Sequence, residues 1–321
     1  MLRALWSLAA AAAVGFSGPV TAIEGAGTPC SSAFIEQAQH ALDDYRAQSH
    51  VPGIAVAIYD HGASCLLSSG TRGPGQSAPV TPDTAFAMGS VEKVFNSTLL
   101  ALAIAQGKVS LDDPAAKYLI TADGRRVRTG APFREVTLRN LVTHTSALPR
   151  QPPGKRNTSK TLFTDRPLPI RVVRFLDDWQ PMYPPGTRYV YSNFGFVLVG
   201  EAAVHLGGKP YTRLLTEDVT GPLDMPHTGM LCQRSGPECA VASNAKGRPE
   251  REQPVGLWTT SRDMLRFVEA NLGVVRMPPL LAKALDITHQ ELFRVDKDHA
   301  VGMAWEEWHH GDDLLLSKDG L

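Results

Sequence analysis

Met88-Gly89-Ser90-Val91-Glu92-Lys93 runs directly into the apolar stretch Val94-Phe95-Asn96-Ser97-Thr98-Leu99-Leu100-Ala101-Leu102-Ala103-Ile104-Ala105. The second part reads as a helix, closed at Gly107, a C-cap residue. Ser90 stands where that helix should begin, and Lys93 follows one turn later. Residues three apart share a helix face, with Cβ atoms about 5–6 Å apart. A hydroxyl and an amine held that close can form a nucleophile–base pair. The free N–H groups and positive dipole end of a helix N-terminus also suit a developing oxyanion. The same serine is equally an ordinary N-cap. A second Ser-x-x-Lys, Ser243-Asn244-Ala245-Lys246, has no apolar helix behind it and reads as a solvated loop. The spacing alone leaves both readings of Ser90 open.

Toward the N-terminus, Ser31 to Ser49 carries a helical apolar stripe, and Val51-Pro52-Gly53 breaks it. Gly53 to Tyr59 is a near-continuous apolar strand, expected to be buried on both faces. Asp60-His61-Gly62 makes a tight turn, and Ser64 to Ser69 returns as the second strand of a hairpin. Gly70 to Thr84 is a loop. Toward the C-terminus the chain reads mostly helical, with a helix start at Leu111 to Ala115. Further helices are expected at Thr137–Thr143, Ile170–Trp179, Phe194–Leu206, Tyr211–Val219 and Ser261–Leu272, the last capped by Ser261. Gly302 to Trp308 and Leu314 to Ser317 return to strand character. Strands at both ends with helices between imply an α+β fold, an antiparallel sheet with a helical insertion.

The 321 residues carry 32 basic and 32 acidic side chains, so charge gives no reason to expect nucleic acid or an anionic membrane as partner. Met1-Leu2-Arg3, the short apolar run Ala4 to Phe16 and Val20-Thr21-Ala22 read as a signal peptide over residues 1–22. The alternative is an uncleaved anchor. Residues 23–321 then form one exported, periplasmic domain. No later segment reaches the ~18 apolar residues of a spanning helix, so no stable membrane span is expected after cleavage. Export favours disulfides among the four cysteines. Cys232 and Cys239 suggest a short closed loop. Of the three possible pairings, one joining Cys30 to Cys65 is expected, because a helix of about 27 Å and a returning strand of about 26 Å bring them together; the alternative is four free buried thiols.

Two further motifs carry chemistry. Tyr191-Ser192-Asn193 follows the rigid turn Pro184-Pro185-Gly186-Thr187. A phenol at its usual pKa of ~10 is a poor base, but a neighbouring cationic lysine can pull it down. The alternative is a buried aromatic with a capping asparagine. Lys318-Asp319-Gly320 ends the last strand; alone it reads equally as a solvated terminal lysine. His-Glu-x-x-His is absent and no spaced His/Cys set suggests zinc, so neither a metal nor another cofactor is expected. Gly-x-Ser-x-Gly is absent too, which argues against an α/β-hydrolase.

In this order, Ser-x-x-Lys, Tyr-x-Asn and Lys-x-Gly resemble the serine β-lactamase and penicillin-binding protein superfamily, most of all its class C branch. The surrounding sequence is similar in Phe86–Lys93, Val109–Pro114, Leu141–Leu148, Pro185–Asn193, Gly221–Met225 and Thr260–Met264. Thr143–Arg150, Gly208–Thr212 and the Cys232/Cys239 pair look like the AmpH-type D-alanyl-D-alanine carboxypeptidase/endopeptidases.

The resemblance implies Ser90 as the acylated nucleophile, Lys93 as the acceptor of its proton, and Tyr191 as the relay to the leaving amine. Asn193 would bond the substrate amide or Lys93. Lys318 would attract the substrate carboxylate, and the oxyanion hole would use the N–H groups of Ser90 and of Leu321, just past Gly320. His144 would be structural, and His309-His310 a solvated turn. The implied ligands are peptidoglycan peptides or β-lactams. The close alternatives are a class C β-lactamase, a Ser-x-x-Lys esterase, and an inactive, truncated binding protein.

Two departures stand out. Asp319 replaces the usual Thr or Ser and should weaken binding of an anionic substrate terminus. The sequence also stops at Leu321, where the family continues through further strands and a terminal helix. The expectation is a central sheet with a gap and exposed edges. Such a polypeptide, if complete, would be unstable or inactive, and reads more as a fragment of an active enzyme.

Overall fold

The structure is a computed structural model that describes residues 28–121, 124–153, 168–230, 239–241 and 256–320. In chain order its first elements are β1 (Thr28–Pro29), α1 (Ser32–Ser49), β2 (Gly53–Asp60), β3 (Ala63–Gly70), β4 (Phe86–Ala87) and α2 (Glu92–Ala105). Helices α3 (Ala131–Arg134), α4 (Leu138–Val142), α5 (Ile170–Asp178), α6 (Asn193–Gly207) and α7 (Tyr211–Leu215) follow. The chain continues with β5 (Trp258–Thr259), α8 (Ser261–Asn271), α9 (Pro279–Thr288), β6 (Phe293–Arg294), β7 (His299–Val301), β8 (Glu306–His310) and β9 (Asp313–Ser317). This is the expected α+β architecture. The chain divides into two compact units, each built from separate segments.

One unit joins the stretch ending at Met88 to Leu223–Arg276. Its three-stranded sheet has the order β1-β3-β2, with β2 and β3 antiparallel in register from Gly53↔Gly70 to Asp60↔Ala63. His61 and Gly62 take positive φ at the hairpin turn, and at φ 89° the glycine adopts a backbone conformation that a side chain would strain. Ser31 caps α1 by accepting from the Phe34 N–H. Helices α1 and α8 pack on the hairpin. Strand β2 is half-buried, not buried on both faces as its apolar run implied. It lies at the edge of this sheet, and burial concentrates on the central β3 at Cys65, Leu66 and Leu67. The Cys30–Cys65 disulfide is present, with Cα atoms 5.7 Å apart. Cys239 is also disulfide-bonded, while Cys232 lies outside the described residues. Helix α8 is capped one residue earlier than expected, by Thr260, whose hydroxyl accepts from the Asp263 N–H.

The other unit joins Gly89–Pro222 to Met277–Leu321. Its axis is α2, buried from Glu92 to Ala103 and flanked by α6 and α9. A helix that is apolar all round belongs inside, and its Leu and Ala residues are strong helix formers. Helix α9 carries apolar Leu281, Ala284 and Leu285 toward the core. This helix is not among those expected from the sequence. The unit's antiparallel sheet has the order β6-β7-β8-β9. The strand expected over Gly302–Trp308 is interrupted: the Gly302 N–H donates to the Trp305 carbonyl, 3.0 Å, and Ala304 takes φ 71°. His309 and His310 are strand residues of β8 rather than a solvated turn, because the chain reverses later, at Gly311. The second Ser-x-x-Lys, Ser243–Lys246, lies outside the described residues, as do residues 1–27. No helix among the described residues is long and apolar enough to cross a membrane.

Candidate active site

Ser90 sits in a 3-10 turn, Gly89–Val91, that leads into α2. It is not the cap of that helix: the N-cap position is Val91, which makes no side-chain cap bond. The Ser90 hydroxyl is occupied elsewhere. Lys93 Nζ donates to Ser90 Oγ at 2.9 Å, and the Tyr191 hydroxyl donates to the same oxygen at 2.6 Å. Residues 101 apart in sequence therefore converge on one atom. The N-cap alternative for Ser90 fails on this geometry.

Lys93 is 2% exposed. Burial disfavours its charged form, and the nearby Lys318 charge adds to the effect, with a smaller push from Arg150. Glu92 and Asp319 act the other way, and the balance brings the amine down to about 7. A large part of Lys93 is then neutral near pH 7 and able to accept a proton, whereas an ordinary lysine is charged.

Tyr191 behaves differently from the sequence expectation. Its ring lies 5.1 Å from Lys93 Nζ, 5.1 Å from Lys318 Nζ and 5.2 Å from Arg150 Cζ. Cations at that range favour a phenolate, yet burial outweighs them and pushes the phenol up. The bond to Ser90 and the charge of Arg150 lower it, while Asp319 and Glu306 raise it further. The phenol of Tyr191 is thus protonated at neutral pH, while the amine of Lys93 is partly neutral.

The loop that presents Tyr191 is shaped by the stretch from His144 to Arg150. The Val190 N–H donates to the His144 carbonyl at 2.9 Å, and the Ser192 N–H to His144 Nδ1 at 3.1 Å. Ser192 Oγ donates to the Pro149 carbonyl at 2.8 Å and accepts from the Gly195 N–H at 3.0 Å, which caps α6. The Asn193 N–H donates to the Arg150 carbonyl at 2.9 Å. His144 takes φ 58° and is buried, with its ring 4.3 Å from that of Tyr191. Burial, with the charges of Lys318 and Lys93, holds this imidazole well below its ordinary value, so it is neutral and accepts through Nδ1. The structural role expected for His144 fits this geometry.

Lys318 follows β9, beside Glu306 of β8, because Glu306 pairs with Ser317 in the register of those strands. Lys318 Nζ donates to Glu306 Oε1 at 3.4 Å, and the Tyr189 hydroxyl donates to the same oxygen at 2.9 Å. His299 Nε2 lies 2.8 Å from Glu306 Oε2. Glu306, Tyr189, His299 and Arg150 were not singled out from the sequence. Tyr189 carried a faint signal, two residues before Tyr191 in the same extended stretch. Arg150 closes the Thr143–Arg150 segment and Glu306 lies in an expected strand, but neither stretch marks them or His299 for the site, because only strand register and loop geometry bring them here.

Asn193 lies in the first turn of α6, but the Lys93 amine donates to Ser90 and not to it. Asp319 and Gly320 are exposed beyond Lys318, and Leu321 lies outside the described residues. Among the described residues, the one set of His and Glu side chains spaced for a metal is Glu291, Glu307 and His309, apart from this cluster.

A family model described as β-lactamase matches residues 38–320. A β-lactamase of Lysobacter lactamgenus is 32% identical over 292 residues, spanning 87% of this chain and 70% of its own. A class C β-lactamase solved in complex with cefoxitin is 27% identical, with a TM-score of 0.74 over 86% of this chain and 75% of that one. The D-alanine carboxypeptidase AmpC of Burkholderia cenocepacia is 28% identical, with a TM-score of 0.70 over 88% and 76%. Motif order, fold and the convergence on Ser90 agree with these likenesses: the chain belongs to the β-lactamase family, in its class C branch, and is a serine hydrolase.

Proposed function

We propose that this chain is an exported serine hydrolase that works through an acyl-enzyme on Ser90. Its substrates are D-alanyl-D-alanine peptides of the AmpH-type carboxypeptidase/endopeptidase kind, and β-lactams acylate the same serine. One observation carries the reading: Ser90 Oγ lies within hydrogen-bond distance of a lysine brought down to about 7 and of a protonated tyrosine. As Oγ attacks the carbonyl carbon, Lys93 takes the serine proton and Tyr191 gives its own to the leaving nitrogen. Lys93 then passes the serine proton to the tyrosine, so the amine departs with the tyrosine's proton and both side chains end as they began. Water enters and the reverse sequence releases the acid. The Lys318 charge draws a substrate carboxylate, and Asn193 takes the substrate amide. The carboxypeptidase and β-lactamase names of the relatives support this substrate class. The N-terminal signal pattern and the Cys30–Cys65 disulfide support an oxidising, periplasmic setting.

Intact-mass spectrometry with benzylpenicillin tests the serine, and D-alanine release from a D-alanyl-D-alanine tripeptide tests the substrate. A penicilloyl adduct is expected on the wild type and absent in Ser90→Ala, with D-alanine released only by the wild type. A folded protein that gives neither adduct nor D-alanine refutes the proposal. Fast turnover of the penicillin without D-alanine release would assign a β-lactamase instead. One observation favours a third outcome. The exposed Asp319 carboxylate acts on both Lys93 and Tyr191, which suits a neutral ester better than an anionic acyl donor.

A further inference from the structure

Successive residues of a strand point to opposite faces, so Glu306 and Trp308 share one face of β8 while Glu307 and His309 share the other. The first face serves the Ser90 cluster. The second holds a group that no step of the chemistry above uses. Glu307 is 2% exposed, and its Oε1 is buried without a hydrogen-bond partner among the described residues. His309 Nε2 is likewise buried and without a hydrogen-bond partner. Glu291, three residues beyond the end of α9, brings its Oε2 to 3.9 Å from that nitrogen. One donor atom from each of the three residues lies within 4.8 Å of the other two.

An unpaired buried carboxylate is costly, and an imidazole nitrogen facing carboxylates is the ligand chemistry of a borderline divalent metal. Gly302 leaves room for the carboxylate: a Cβ there would come 2.9 Å from Glu307 Oε1 and 2.7 Å from the Thr288 carbonyl oxygen. We propose that Glu291, Glu307 and His309 form a site for a divalent first-row transition metal of the zinc class, on the face of the sheet opposite Glu306.

Three ligands of this kind bind at about 2.0–2.2 Å and leave a position for water. Two atoms bound to one tetrahedral ion lie about 3.3–3.6 Å apart, so donors now within 4.8 Å of one another must close by up to about 1.5 Å. Glu291 supplies that movement, because its side chain is exposed at the rim and gives the ion its entry path. Its present partner is Arg294, which donates from both Nε and a terminal nitrogen to the two carboxylate oxygens. The Arg294 side chain is 43% exposed and can swing into solvent as the ion takes its place. The bound ion ties β8 to the Glu291 turn. Since β8 also carries Glu306, which holds Lys318 and Tyr189, the site braces the strand behind the active centre without touching substrate.

The test uses the untagged chain stripped with chelator, then titrated with Zn²⁺ by calorimetry and with Co²⁺ by visible absorption. One equivalent is expected to bind, Co²⁺ developing the absorption of a low-coordinate site and Zn²⁺ raising the thermal midpoint. His309→Gln and Glu291→Gln, both at partly exposed positions, are each expected to weaken binding at least about tenfold. Glu307→Gln should do the same, and its folding is checked by circular dichroism. Failure of the wild type to bind, or equal binding by His309→Gln and Glu291→Gln, overturns the proposal. Penicillin labelling of the metal-free protein reads the Ser90 chemistry separately.

Discussion

Lys93 is where residue-scale chemistry is decided. Its amine comes down to about 7 chiefly because it is buried and secondly because Lys318 is near. Proton acceptance needs the neutral amine, so the rate of acylation should rise with pH and level off above about 7, read as fluorescent-penicillin labelling from about pH 5 to 9. Replacing Lys93 by Ala should cut that rate by about 10²–10⁴-fold. Asp319 raises Lys93, so Asp319→Ser should move the midpoint of the same profile to lower pH. It should also speed labelling by an anionic penicillin, because a repelling carboxylate is gone. A midpoint that stays put in Asp319→Ser would remove Asp319 from the electrostatics of the site. The Ser90–Lys93 pair was legible as a spacing, since it needs only one turn of chain. The upward direction of Tyr191 was not, because it depends on how deeply the phenol is buried among groups distant in sequence.

At the scale of elements, α6 holds a carboxyl that nothing in the proposed chemistry uses. Burial alone pushes Glu201 up to about 7 from its ordinary 4.5. The folded value lies above the unfolded one, so its contribution to stability is full below about 4.5 and is lost as pH rises through about 7. Above that, the folded protein carries a poorly solvated charge. Glu201→Gln should therefore stabilise the protein by about 3 kcal/mol at pH 8 and flatten the slope of stability between those limits, measured by urea denaturation. Unchanged slope in the variant would mean that the carboxyl is better solvated than its surroundings indicate. Helices α1, α2 and α6 were legible because each combines an apolar pattern with a clear boundary, such as Ser31, Gly107 or Gly208. The start of α8 was misplaced by one residue, because Thr260 and Ser261 are both good caps and only the bond to Asp263 chooses between them. The His309-His310 pair was misread as a turn. Polar residues mark turns only where they face water on both sides, and in β8 Glu307, on the same face as His309, is buried.

In the whole molecule the chain folds as two units, each closed by segments far apart in sequence: β4 pairs with β5, and α2 packs against α9. Within the first of them the Cys30–Cys65 bridge spans a sequence separation of 35. Loop-closure entropy for such a length is worth about 3–4 kcal/mol. The Cys30→Ser/Cys65→Ser double variant should lose about that much in chemical denaturation, and a variant as stable as the wild type would show the bridge to be dispensable. The sequence by itself determined the fold class, the hairpin, the serine helix and the three motifs that meet near Ser90. Those features rest on local propensity, periodicity and spacing, which are properties of short stretches. The tertiary structure alone decided that burial brings the Lys93 amine down and pushes the Tyr191 phenol up, against the pull of the cations around its ring. It also placed Glu306 under Lys318 and set Glu307 and His309 facing Glu291. The physical reason is that burial, strand register and the field of distant charges exist only once the chain has closed on itself.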